Sequence, residues 1–306
     1  MAVVALAIVA STGIGLAAEQ RWHRRAVWVS RRLMDLMVWG LLPFIAFFVV
    51  ARLHLGGGVG AGLALGYVEL AIVATLAYLA GTRVFHLPRP AVGSLVCVVL
   101  LANTGYFGIP VNAALLGRHA IGQAIAWDTL VSTIVLYTAG FAVGAAFGTR
   151  AGEGLGERVR AFLTRNPVLY AVVLALVVPD KLAPGVMVHI AETVSYSLLP
   201  LGFFILGVNL MGEREEGALR FPPPMTPPIA TAMVLRMVVA PLLLAGLSAL
   251  LISVPKAYLL QAAMPSGINS LLVGHLYGLD LRLASSAIAW STVIAVIAAL
   301  VAAPML

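Results

Sequence analysis

Charge is scarce in this chain: 10% of its 306 residues are Asp, Glu, Lys or Arg, and 61% are hydrophobic. Soluble domains carry roughly a quarter charged residues, so a water-facing surface is excluded for most of this molecule. Cysteine is almost absent. Cys97 stands alone in an apolar run, which rules out an internal disulfide and a multi-cysteine metal site and leaves it as a small packing residue. No HExxH spacing or nucleophile–base constellation occurs, so neither an enzyme nor a metal or cofactor is expected. No basic residue precedes the apolar residues 2–18 and several follow, an order that suits a retained first helix better than a secretory signal. The apolar–polar alternation of a membrane barrel is also missing.

What is present is a succession of apolar runs of about twenty residues, the length that spans a bilayer core. They place transmembrane helices at residues 2–18, 33–51, 59–82, 91–117, 120–147, 166–179, 186–211, 227–253, 257–277 and 281–305. The net charge of +7 does not point to nucleic acid, because the basic residues are dispersed through short loops. Loops after the odd-numbered helices hold fourteen Lys and Arg and the opposite loops four, which puts both termini on the non-cytoplasmic side. Trp22, Trp28 and Trp39 fit an interfacial belt on the cytoplasmic side.

An internal repeat is visible. Asp35 and Leu41-Leu42-Pro43 return 157 residues later as Glu192 and Leu198-Leu199-Pro200, and Phe47-Phe48 returns 156 residues later as Phe203-Phe204. The expected fold is therefore an all-α membrane protein of ten transmembrane helices in two five-helix repeats, residues 1–147 and 166–306, joined by a cytoplasmic linker at 148–165. Five is odd, so the repeats are inverted. The linker glycines Gly152, Gly154 and Gly156 lack the strand-to-helix setting of a phosphate loop.

Two runs, the fourth and the ninth, are interrupted: one by Asn103-Thr104-Gly105-Tyr106-Phe107-Gly108-Ile109-Pro110, the other by Met264-Pro265-Ser266-Gly267-Ile268-Asn269. A broken helix frees carbonyls on one half and amides on the other, and a bilayer tolerates this only where protein or a watery cavity satisfies them. Amide ends suit an anion. Matched breaks in corresponding halves point to a transporter's binding site. Asn103, Thr104, Gly105, Pro110, Asn112, Pro265, Ser266, Gly267 and Asn269 are thus expected to shape a substrate pocket. Glu69, Asp128 and Arg236 lie inside apolar runs, where an unpartnered charge is costly. They are expected to form an ion-coupling or charge network in which Arg236 pairs with Glu69 or Asp128; a static pair that locks helices together is the alternative.

The Asn103–Pro110 segment resembles the fourth-helix motif of the auxin efflux carrier family, which includes plant PIN proteins and bacterial permeases. Leu41-Leu42-Pro43, Asn166-Pro167, Leu199-Pro200 through Leu210, and Met264-Pro265 through Asp280 follow in the family's order, so the resemblance covers nearly the whole chain. It implies a scaffold of helices one, two, six and seven, and a moving transport domain of helices three to five and eight to ten. The crossovers would lie at Pro110 and Pro265. It also implies elevator-type alternating access for a small organic anion, an auxin-like aromatic acid or a dicarboxylate, in the plasma (inner) membrane. Proton coupling, sodium coupling, facilitated uniport and a homodimer stay open. The rivals are a sodium-coupled symporter of the bile-acid type and a membrane sensor that binds without transporting.

Overall fold

The computed structural model describes residues 2–52, 57–150, 156, 160, 167–215 and 222–302. Among these residues every named element is a helix. In chain order they are α1 (Ala2–Leu36), α2 (Leu42–Val50), α3 (Gly57–Leu79), α4 (Arg89–Leu100), α5 (Ile109–Leu116), α6 (Ile121–Trp127) and α7 (Phe141–Phe147). The second half holds α8 (Pro167–Val177), α9 (Gly185–Ser195), α10 (Leu198–Glu215), α11 (Pro227–Val234), α12 (Ala240–Leu250), α13 (Lys256–Ala262), α14 (Asn269–Tyr277) and α15 (Leu281–Ala302). Widened π turns join α1 to α2, α6 to α7 and α11 to α12. Among the described residues, six helical stretches are long and apolar enough to cross a membrane: 9–50, 60–84, 118–147, 185–209, 227–250 and 281–299. The shorter apolar helices are α4 and α8.

One expectation needs correction. Residues 19–32 are helical instead of forming a loop, so α1 runs on into α2. The segment has five arginines but no glycine or proline, and nothing in it competes with the helix except at Trp22, whose φ of −137° and ψ of 44° are non-helical and kink it. The stretch from Val9 to Val50 has 42 residues, about 63 Å of helix against a hydrocarbon core of about 30 Å, so it cannot be one straight crossing. At the sixth position α8, Pro167–Val177, lies within the expected residues 166–179. Asn166 and most of the expected linker lie outside the described residues. The linker's first residues fold back onto α14: Arg150 N donates to Tyr277 O at 2.9 Å, and its Nη1 to His275 O at 3.0 Å.

The buried apolar residues form two cores. One gathers α3, α4, the α6–α7 stretch and α11 to α15 around Leu95, Val98, Val131, Tyr258 and Tyr277. The other gathers residues 37–50 and α8 to α10 around Ile45, Val172 and Leu198, with Ile109 and Ile125 packed in. α10 lies along α1 at small residues: a Cβ on Gly207 would come within 3.0 Å of Leu16 N and 3.2 Å of Gly15 Cα. Such close approach increases dispersion contact where lipid offers no hydrophobic drive between helices. The candidate site lies where the two cores meet.

Candidate functional site

Both interruptions are true breaks. After α4, Leu101 turns extended (φ −101°, ψ 91°), and Asn103 restarts the helix by accepting Phe107 N on its side chain at 3.3 Å. After α13, residues 263–268 run irregularly until α14 begins. The two irregular segments cross. Ala102 and Ser266 face each other as an antiparallel bridge, with Asn103 N donating to Pro265 O at 2.8 Å and Gly267 N donating to Leu101 O at 2.7 Å. Each break thus satisfies the backbone that the other leaves bare, which is what a dry setting demands. Glycine is needed at 267 because a Cβ there would come within 2.8 Å of Ala102 O. Ser266 fastens the crossing to its neighbours: its amide donates to Ser291 Oγ at 3.2 Å and its hydroxyl to Val98 O at 2.7 Å.

A cavity of about 170 Å³ opens beside the crossing. Five expected residues line it: Asn103, Thr104, Gly105, Gly267 and Asn269. Asp128 lines it as well, from the π turn Asp128–Thr133 that interrupts the α6–α7 stretch; one extra residue per turn re-aims side chains there. Thr104 Oγ1 donates to Asp128 Oδ1 at 2.5 Å, and a Cβ on Gly105 would lie 3.2 Å from the same oxygen. The carboxylate therefore rests against the backbone that starts the half-helix after the first break. Among the described residues the lining contains no Lys, Arg or His. The starts of two half-helices, Thr104–Tyr106 and Ile268–Asn269, lie in it, and the first amides of a helix, which have no intrahelical acceptor, carry partial positive charge.

The other expected residues lie elsewhere. Pro110 is buried in the first turn of α5, outside the lining, so the crossing falls at Ala102 and Ser266 and not at Pro110. The π turn Thr104–Gly108 runs into α5 without a cap, so Pro110 sits in the second turn of that half-helix, where the widened turn accommodates a residue with no N–H. Pro265 and Ser266 build the crossing without lining the cavity. Asn112 is buried and donates to Gly108 O at 2.8 Å, with its Oδ1 unpartnered. Arg236, 1% exposed, feels the charge of Glu69 without a hydrogen bond to it. It donates to Val99 O at 3.0 Å and to Ala262 O. Glu69 acts on it through charge alone, both carboxylate oxygens being unpartnered, and neither residue lines the cavity.

Sequence reasoning passed over three residues. Buried Gln261 donates to Thr104 O at 3.2 Å and to Ala124 O at 2.9 Å, tying α13 to both the first break and α6. An amide side chain in an apolar run just before a break was a readable signal. Ser132 and Tyr137 line the cavity with Asp128; Ser132 stands four residues on, hence on the same helix face.

Residues 155–303 match the family model described as membrane transport protein, the auxin efflux carrier family to which the motifs point. An uncharacterized transporter of Methanocaldococcus jannaschii is 25% identical over 278 residues, covering 85% of this chain and 84% of that protein. An uncharacterized transporter of Methanothermobacter thermautotrophicus is 27% identical over 227 residues, 73% of this chain and 70% of its own length.

Proposed function

We propose that this member of the membrane transport protein family is a secondary transporter of a small organic anion, working by elevator-type alternating access. The observation that carries the reading is the crossing of the two breaks at Ala102 and Ser266 beside a cavity. Two helix starts lie in its lining, and their partial positive charge suits one carboxylate. At about 170 Å³ the space is near that of an engineered cavity of about 150 Å³ that holds benzene, which favours a short dicarboxylate or a single-ring acid.

Asn103, Thr104, Gly105, Gly267 and Asn269 contact the substrate in this reading; Pro110, Asn112, Pro265 and Ser266 support them. Asp128 balances charge or carries a coupling proton, because a second anion beside its carboxylate needs compensation. α1, α2 and α8 to α10 belong to the static scaffold, and α3 to α7 with α11 to α15 to the moving domain. Ten spans in two inverted repeats, with both termini on the non-cytoplasmic face, fit the pairing of the breaks and the loop charges. A sodium-coupled cycle is the second reading, favoured by the unpartnered oxygens of Glu69.

Purified protein in liposomes is expected to take up labelled malonate, succinate or indole-3-acetate, and Asn103→Ala and Asn269→Ala each to abolish uptake. Full flux in both variants would overturn the site. A rate that follows an imposed pH gradient supports proton coupling, dependence on a sodium gradient supports the second reading, and indifference to both leaves uniport.

A further inference from the structure

The two breaks share a detail on the side away from the cavity. In an unbroken helix the carbonyl of Val99 would accept from Asn103 N, and that of Ala262 from Ser266 N. Both amides are diverted, the first to Pro265 O and the second to Ser291 Oγ. Val99, next to the last residue of α4, and Ala262, the last of α13, thus carry bared carbonyls just before each break. One side chain fills both vacancies. Arg236 Nη1 donates to Val99 O at 3.0 Å and its Nη2 to Ala262 O. A helix C-terminus carries roughly half a negative charge, so two of them offset one guanidinium.

We infer that Arg236 is a positioning residue for the crossing: its planar fork joins the carbonyl ends of both half-helices and thereby sets how the breaks meet and how the cavity is shaped. The π turn Leu235–Val239 brings the side chain to that place. Glu69 balances the charge without competing for the fork's donors, since it makes no hydrogen bond. Lysine keeps the charge but cannot reproduce the two-pronged planar geometry. The effect on substrate affinity rests on the transport reading above; the effect on the crossing does not.

Amide hydrogen exchange, read by mass spectrometry on the purified full chain, tests it in wild type, Arg236→Lys, Arg236→Met and Glu69→Gln. The reporters are the peptides carrying Asn103 and Gly267, the donors of the crossing. Arg236→Lys is expected to raise exchange in both peptides together, by roughly tenfold, while α15 stays protected. Arg236→Met is expected to go further where it folds, and Glu69→Gln to leave both peptides near wild type. Unchanged exchange, a rise at one break only, or an equal rise throughout the chain would each overturn the inference. In liposomes taking up labelled succinate, Arg236→Lys should raise KM roughly tenfold at near-normal kcat; a fall in kcat at constant KM would overturn it. Absence of uptake by the wild type would count against succinate transport and leave the exchange result standing.

Discussion

Thr104 gives its hydroxyl hydrogen to Asp128 across 2.5 Å, linking the first turn after a helix break to the helix that walls the cavity. The bond fixes the one carboxylate in the lining against a positive helix start. Asp128→Asn keeps the shape and removes the charge. Its uptake of labelled succinate should become insensitive to an imposed pH gradient where the wild type responds, a difference read directly in liposomes.

Gly267→Ala should be among the more damaging single-methyl changes. The added Cβ would come within 2.8 Å of Ala102 O and 3.0 Å of Leu101 O, both backbone atoms, so the crossing itself must shift. A loss of about 1–3 kcal/mol is expected, seen as a lowered Tm in detergent.

Pro110→Ala tests the corrected position of the crossing. Pro110 stands in the first turn of α5 and outside the cavity. Its replacement should cost less than about 1 kcal/mol and leave uptake near wild type. Pro265→Ala restores a backbone N–H inside the irregular segment of the crossing and should lower uptake more.

Gln261→Leu removes a buried donor shared by two carbonyls, those of Thr104 and Ala124. Leaving both unsatisfied should cost about 1–3 kcal/mol. A lowered Tm of the variant in detergent checks it, and Gln261→Met, which keeps the length of the side chain without the donor, should show a similar loss.

The breaks were legible because Asn103, Gly105, Pro265 and Gly267 are residues that an apolar helix does not need, so their presence carries information. The all-helical membrane class was legible in the same way, from the length of the apolar runs. The register of the crossing was not. Pro110 is the conspicuous residue of the first motif, yet the chain breaks where Asn103 caps, seven residues earlier. Nor could the partners of Arg236 be read, since the carbonyls of Val99 and Ala262 leave no trace in side-chain identity. Residues 19–32 looked like a loop because they are charged, but arginine is a good helix former and five arginines do not end a helix.

The hydrogen bonds of the crossing run from main chain to main chain, between Asn103 and Pro265 and between Gly267 and Leu101. Ser132, Tyr137 and Ile268 line the cavity and take no part in those two main-chain bonds. Such lining positions can therefore change without redrawing the frame, whereas Gly267, which belongs to both, cannot. Two proteins built on the same crossing can drift apart in the residues that choose the cargo, so the frame alone does not fix a substrate.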